Sequence, residues 1–174
     1  MCRDLFFSSR PRRHNRGLLR LELAHNSVGP RGGTALAEAL GRNATLTQLG
    51  LASNLLDDTA AVALATALCA NGVLTALLLG RNSISDVGAQ ALRQALTTNR
   101  TLHSMGDVGS LPIAIGLRAS LDWYLRGNAE LSARAAKEQL SLARQVSSGG
   151  GAPIMQPVEE RQMQVTARPP PLAC

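Results

Sequence analysis

The chain has 174 residues, room for one domain with tails, and 45% of them are hydrophobic, which excludes wholesale disorder. Its aromatic residues are Phe6, Phe7, Trp123 and Tyr124, so the stretch from Leu18 to Asp122 must build its core from Leu, Ala, Val and Ile, a set suited to stacked, similar layers. The net charge of +6 is concentrated at the start, where Arg3, Arg10, Arg12, Arg13, Arg16 and Arg20 face Asp4 alone, leaving the rest nearly neutral.

Residues 1–17 read as a basic, disordered arm. Such an arm is the one part of the chain suited to nucleic-acid or acidic-lipid contact. The repeat region that follows has no aromatic side chain on which bases could stack, so nucleic acid is disfavoured as a partner. The N-terminus is Arg-rich where a signal peptide needs an apolar run, and no stretch reaches membrane-spanning length. Cys2, Cys69 and Cys174 fit neither a disulfide framework nor a metal site. A reducing, cytoplasmic location without membrane contact is expected.

From residue 18 the chain repeats. Leu18, Leu46, Leu74 and Leu102 follow one another at intervals of 28 residues, and three of them open the pattern L-x-x-L-x-L-x-x-N. It reads Leu18, Leu21, Leu23, Asn26, then Leu46, Leu49, Leu51, Asn54, then Leu74, Leu77, Leu79, Asn82. A second pattern, L-x-x-x-L-x-x-N-x-x-L, closes each unit at Leu36–Leu40–Asn43–Leu46, Leu64–Leu68–Asn71–Leu74 and Leu92–Leu96–Asn99–Leu102. It returns one residue late at Leu121–Leu125–Asn128–Leu131. L-x-L places two leucines on one face of a short strand. The Asn falls where the chain leaves that strand, and its amide can bond backbone groups of neighbouring turns. The rest of each unit has apolar residues at helical spacing. Each unit is therefore predicted to run strand, turn, helix, turn.

The pattern resembles the ribonuclease-inhibitor-like class of leucine-rich repeats, over roughly residues 15–131. Ribonuclease inhibitor, the C-terminal arrays of NOD-like receptors, the Ran GTPase-activating protein and the tropomodulin array are of this class. The resemblance implies an α/β fold: a short right-handed solenoid with parallel strands on the concave face and helices on the convex face. Relatives of this class do different jobs on one architecture, so the resemblance is specific for fold and not for function.

Both ends of the array depart from the pattern. Asn15-Arg16-Gly17-Leu18 matches the close of a preceding unit, but Ser8 and Arg12 stand where its helix leucines would be. The edge at Leu21 and Leu23 should therefore lack a cover, apart from Phe6 and Phe7, and offers a route to self-association. The fourth unit is degenerate: Asp107 falls on the second strand leucine, Ser110 on the Asn, and Pro112 interrupts. The expected organisation is an arm at 1–17, an array at 18–131, a capping helix at 132–145 with Trp123 and Tyr124 near it, and a disordered tail at 146–174.

No phosphate-binding loop or nucleophile elbow is present, and no catalytic residue, cofactor site or metal site is assigned. Cys69, at a helix end, is expected to be a half-buried small residue. The binding surface is expected on the strand face that points away from the leucines. Counted from each first Leu, its third, fifth and eighth positions supply Arg20, Glu22, His25, Gln48, Leu78 and Arg81 as partner-binding residues, with Leu78 as an apolar anchor. These features point to a non-catalytic module that binds an unidentified protein on its concave face. The alternatives are a regulator of a GTPase or of actin filaments, acting through Asn26, Arg81 and Asp57-Asp58 in the loops, and nucleic-acid contact through the arm.

Overall fold

The computed structural model describes residues 15–148, with side chains through 144. The expected behaviour of the arm before residue 15, of Phe6 and Phe7, and of the tail from 149 onward lies outside the described residues.

Three strands, β1 (Arg20–Glu22), β2 (Gln48–Gly50) and β3 (Ala76–Leu78), pair in parallel in the order β1-β2-β3. Their register follows the repeat: Arg20 lies beside Gln48 and Gln48 beside Ala76, and an isolated bridge carries Ala76 on to Ser104. Between the strands run helices α1 (Pro30–Arg42), α2 (Asp58–Ala70) and α3 (Asp86–Leu96). A single 3-10 turn at Val108–Ser110 precedes α4 (Ile115–Ser148). Each helix packs on its neighbours in sequence, α1 on α2, α2 on α3, α3 on α4. The result is an α/β solenoid of two layers with an open sheet.

The leucines of the repeat form the core between the layers. Leu49, Leu51, Leu77 and Leu79 are buried, as are the helix leucines Leu40, Leu64, Leu68, Leu92 and Leu96. Helix α2 lies between α1 and α3, so it must be apolar on three sides. It buries Ala60, Ala61, Leu64, Ala65, Ala67 and Leu68, whereas α1 buries only Gly33, Ala37 and Leu40. Alanine on these faces lets neighbouring helices approach closely.

Two ladders of asparagine hold the units together. Asn54 accepts the N–H groups of Asn26 and Val28 at 3.1 and 2.8 Å and donates to the carbonyls of Leu23 and Leu51 at 2.9 and 3.0 Å. Asn82 repeats this role between the second and third units, bonding Leu56 N–H and the Leu51 and Leu79 carbonyls. On the other side of the array Asn71 and Asn99 each donate to two carbonyls of the preceding unit, and Asn128 donates to Asn99 O of the third unit and to Leu102 O at the start of its own. Asn15 begins this second ladder, since its Oδ1 accepts Gly17 and Leu18 N–H just as Asn43 Oδ1 accepts those of Thr45 and Leu46.

The irregularity of the fourth unit is one extra residue. Gly106 takes a left-handed conformation (φ +69°), and Val108 rather than Asp107 enters the core. Every later position is displaced by one, so buried Leu111 stands where Asn82 stands in the third unit, and Asn128 returns a residue late. The last two helical segments also merge. The boundary expected at residue 131 falls inside the continuous 34-residue α4. Its first half covers the third unit through Leu117, Leu121 and Leu125, while residues 132–144 are exposed on every side and shield no layer.

Candidate functional site

The face of the sheet opposite the leucines carries the strand residues expected to bind a partner. Arg20 and Gln48 are cross-strand neighbours, and so are Gly50 and Leu78, with Glu22 beside Gly50. Side-chain size alternates along the second of these rows. The Glu22 carboxylate lies over Gly50, filling the space a Cβ would need there, and accepts Ala24 N–H at 3.1 Å. Leu78 lies in the same way over Gly106, 3.2 Å from the place of a Cβ. Both large side chains thus rest on a neighbouring glycine. Glu22 is partly committed to its own backbone, while Leu78 is a half-buried apolar side chain with no polar neighbour to satisfy.

His25 and Arg81 lie beyond the ends of β1 and β3 rather than within them. They occupy, with Ser53, the equivalent place in three successive turns beyond the strand ends, and all three are left-handed, with φ of 60°, 57° and 53°. A left-handed residue reverses the chain so that the following Asn side chain can point inward. The turns are tied to one another: His25 N–H donates to Ala52 O, Ser53 N–H to Gly80 O, Leu55 N–H to Val28 O and Ser83 N–H to Leu56 O. Arg81 N–H is held by Ser110 Oγ at 2.8 Å. These turns form a second row of side chains, a rim along the C-terminal ends of the strands. Leu55, 59% exposed, belongs to it and is missing from the residues expected from sequence. Its equivalents are Ser27 and Ser83, and that break in polarity is the signal that marks it.

The two aspartates expected as loop functional groups are occupied with structure. Asp57 caps its own helix by accepting Ala60 N–H at 3.1 Å. Asp58 caps the next one: it accepts the Ser85 hydroxyl at 2.6 Å and the N–H groups of Ser85 and Gly88 at 2.8 and 3.0 Å. The Ser85 hydroxyl, helped by the two backbone N–H groups and opposed by partial burial, holds the Asp58 carboxyl below the ordinary aspartate range. One unit later Asp86 accepts Ala114 N–H, just before α4, at 2.7 Å. Asn26 is exposed, and its side-chain amide donates to Ala24 O.

Cys69 is exposed rather than half-buried, because it sits on the solvent side of the last turn of α2. His103 Nδ1 lies 3.1 Å from Thr101 O. Among the described residues no His, Cys, Asp or Glu side chains gather in a group that could hold a metal ion, and no helix is long and apolar enough to cross a membrane. Trp123 and Tyr124 meet edge to face on α4, their ring centres 4.9 Å apart.

The 28-residue unit, its parallel strands in matching register and its two asparagine ladders agree with a family model described as Leucine Rich repeat, which matches residues 14–37 and 70–92. The fold is a leucine-rich-repeat solenoid. Among solved structures, this leucine-rich-repeat array is similar to one titled as actin-binding site 2 of leiomodin-1. The two are 21% identical, 76% of this chain and 91% of that one are covered, and the TM-score is 0.58. The tropomodulin C-terminal domain of Caenorhabditis elegans aligns at 15% identity over 74% of this chain and 92% of its own, with a TM-score of 0.49. No curated protein sequence matches the chain.

Proposed function

We propose that the array is a non-catalytic, cytoplasmic module that binds another protein on the strand face, through Arg20, Glu22, Gln48 and Leu78, with His25 and Arg81 at its margin. The observation that carries this reading is the division of labour among its side chains. The ladder asparagines and capping aspartates are consumed largely by backbone groups, while Arg20 and Gln48, in fixed register on the strand face, make no side-chain hydrogen bond among the described residues, and Leu78 stays half-exposed beside them. A rigid surface that presents side chains at constant spacing binds with little ordering cost. Affinity capture with the full chain, beside a variant carrying Arg20→Ala, Gln48→Ala and Leu78→Ala, tests it. Partners retained by the parent and lost by the variant support the strand face. An identical set of partners on both refutes it.

A second reading follows from the likeness to leiomodin-1 actin-binding site 2. In that reading the protein bound on the strand face is actin. Co-sedimentation with filaments and a gel-shift with monomeric actin, each run with the same triple variant, separate this partner from others.

A further inference from the structure

We infer that the open edge of the sheet at β1 is a self-complementary interface, where a second copy of this chain pairs antiparallel with the first about a two-fold axis at Leu21. This goes beyond the strand-face reading. It joins the backbone edge of the sheet rather than its face, and it makes the strand faces of two copies one continuous surface.

Backbone directions define the edge. Leu19 O accepts the N–H groups of Thr47 and Gln48, and Leu23 N–H donates to Gly50 O, so residues 19, 21 and 23 direct their main-chain groups at β2. The N–H and carbonyl groups of Arg20 and Glu22 then point the other way. Their counterparts Gln48 and Gly50 use such groups to bond the unit before them, but among the described residues no strand lies beside β1 on that side. An unpaired edge of this kind is a template for another strand. The helix layer is open on the same side. Leu64 and Ala67 of α2 are buried, and a Cβ on Gly88 of α3 would meet Ala61 of α2, whereas their counterparts in α1, Leu36, Ala39 and Gly32, are half-buried or exposed. A face that is apolar and packed in later units is apolar and open in the first.

The segment Leu19-Arg20-Leu21-Glu22-Leu23 identifies what fits there. It is symmetric in polarity about Leu21, with opposite charges at mirrored places. In an antiparallel pair centred on Leu21, Arg20 faces the partner's Glu22 and Glu22 faces the partner's Arg20. These are the residues whose main-chain groups point outward, so each pair exchanges N–H···O bonds in both directions. On the leucine side of the sheet Leu21 meets the partner's Leu21, and Leu19, now 58% exposed, meets the partner's Leu23. The charges are available. Arg20 has no hydrogen-bond or ion-pair partner among the described residues, and Glu22 gives only Oε1 to Ala24 N–H. Opposite charges directly across a strand pair are stabilising and like charges are destabilising, so the edge selects its own antiparallel copy in this register. Such a two-fold contact closes on itself as a dimer instead of growing into a fibre.

Sedimentation equilibrium of the full chain over a wide range of concentrations tests this, with amide hydrogen exchange at the two ends of the range. The parent is expected to pass from monomer to dimer as concentration rises. The amides of Arg20 and Glu22 should gain protection in the dimer, while those of Leu49 and Leu77 change little. Arg20→Glu and Glu22→Arg each oppose like charges at both pairs, and each should weaken self-association about tenfold, the scale of two cross-strand pairs turned from attraction to repulsion. An equimolar mixture of the two variants restores opposite charges at both pairs and should dimerise as well as the parent, which chains that had failed to fold could not do. A monomer at every concentration overturns the proposal, whether or not residues 1–14 cover the edge in place of a second copy. A dimer equally strong in the parent and both variants overturns it too, as does a mixture no stronger than its components. Protection gained at 132–144 rather than at Arg20 and Glu22 assigns the dimer to the free end of α4 and overturns the β1 edge.

Discussion

Asn54 accepts two backbone N–H groups of the first unit and donates to carbonyls of the first and second. It is almost completely buried, so water cannot replace these bonds. Asn54→Ala should cost about 1–3 kcal/mol, because its backbone partners remain buried without it. Asn54→Leu should not restore the loss, since volume is not what the site lacks. Equal urea midpoints for Asn54→Leu and the parent would refute the ladder role. Asp58 gives a pH test. Its carboxyl is held below the ordinary range in the folded chain by the Ser85 hydroxyl and the Ser85 and Gly88 N–H groups. The stability it contributes is therefore fully present above the unfolded-state value, about 3.9, and is lost as pH falls through the lower folded-state value. Asp58→Asn should be less stable than the parent near pH 6, and the gap should narrow as pH is lowered below about 4. A gap that is constant across that range would show that the carboxylate charge plays no part.

At the scale of elements, α4 divides into two halves with different duties. Leu117, Leu121 and Leu125 are buried against the third unit, and Asn128 bonds the carbonyls of Asn99 and Leu102. Leu140 and Leu142, farther along the same helix, are 58% and 54% exposed. Leu125→Ala should cost about 2–5 kcal/mol, as buried large-to-small changes do. The double change Leu140→Ser and Leu142→Ser should cost no more than about 0.5 kcal/mol per site. Chemical denaturation of the two variants checks this, and comparable losses in both would mean that residues 132–144 cover part of the array after all.

For the whole molecule the decisive asymmetry is between its two edges. At the C-terminal side, the displaced fourth unit still buries Met105, Val108, Leu111 and Ile113. At the N-terminal side, Leu21 and Leu23 are only half-buried and Leu19 is 58% exposed, whereas Leu77 and Leu79 in the third unit are inaccessible. In a solenoid each unit is stabilised by its neighbours, so a unit that among the described residues is stacked on one side is expected to open first. Amides at residues 18–26 should exchange with deuterium faster than their counterparts at 74–82. Equal protection in a monomer would show that the first layer is covered as well as the third.

The repeat determined by itself the strand register, the buried leucines and the place of both asparagine ladders, because each depends on a spacing of 28 residues that any stacked unit must reproduce. The rows at Arg20–Gln48 and Gly50–Leu78 were legible for the same reason. Other features were decided only in three dimensions. The turn that holds His25 and Arg81 depends on a left-handed backbone that ordinary side chains do not announce, and the single-residue shift at Gly106 moves Val108 into a place the pattern gave to Asp107. Asp58 reads as a loop carboxylate until the next unit is stacked on it, since its partners Ser85 and Gly88 lie 27 and 30 residues away. Local patterning encodes which face each residue takes within its unit. Which polar groups remain free for a partner is settled between units, where backbone N–H groups compete for the same side chains.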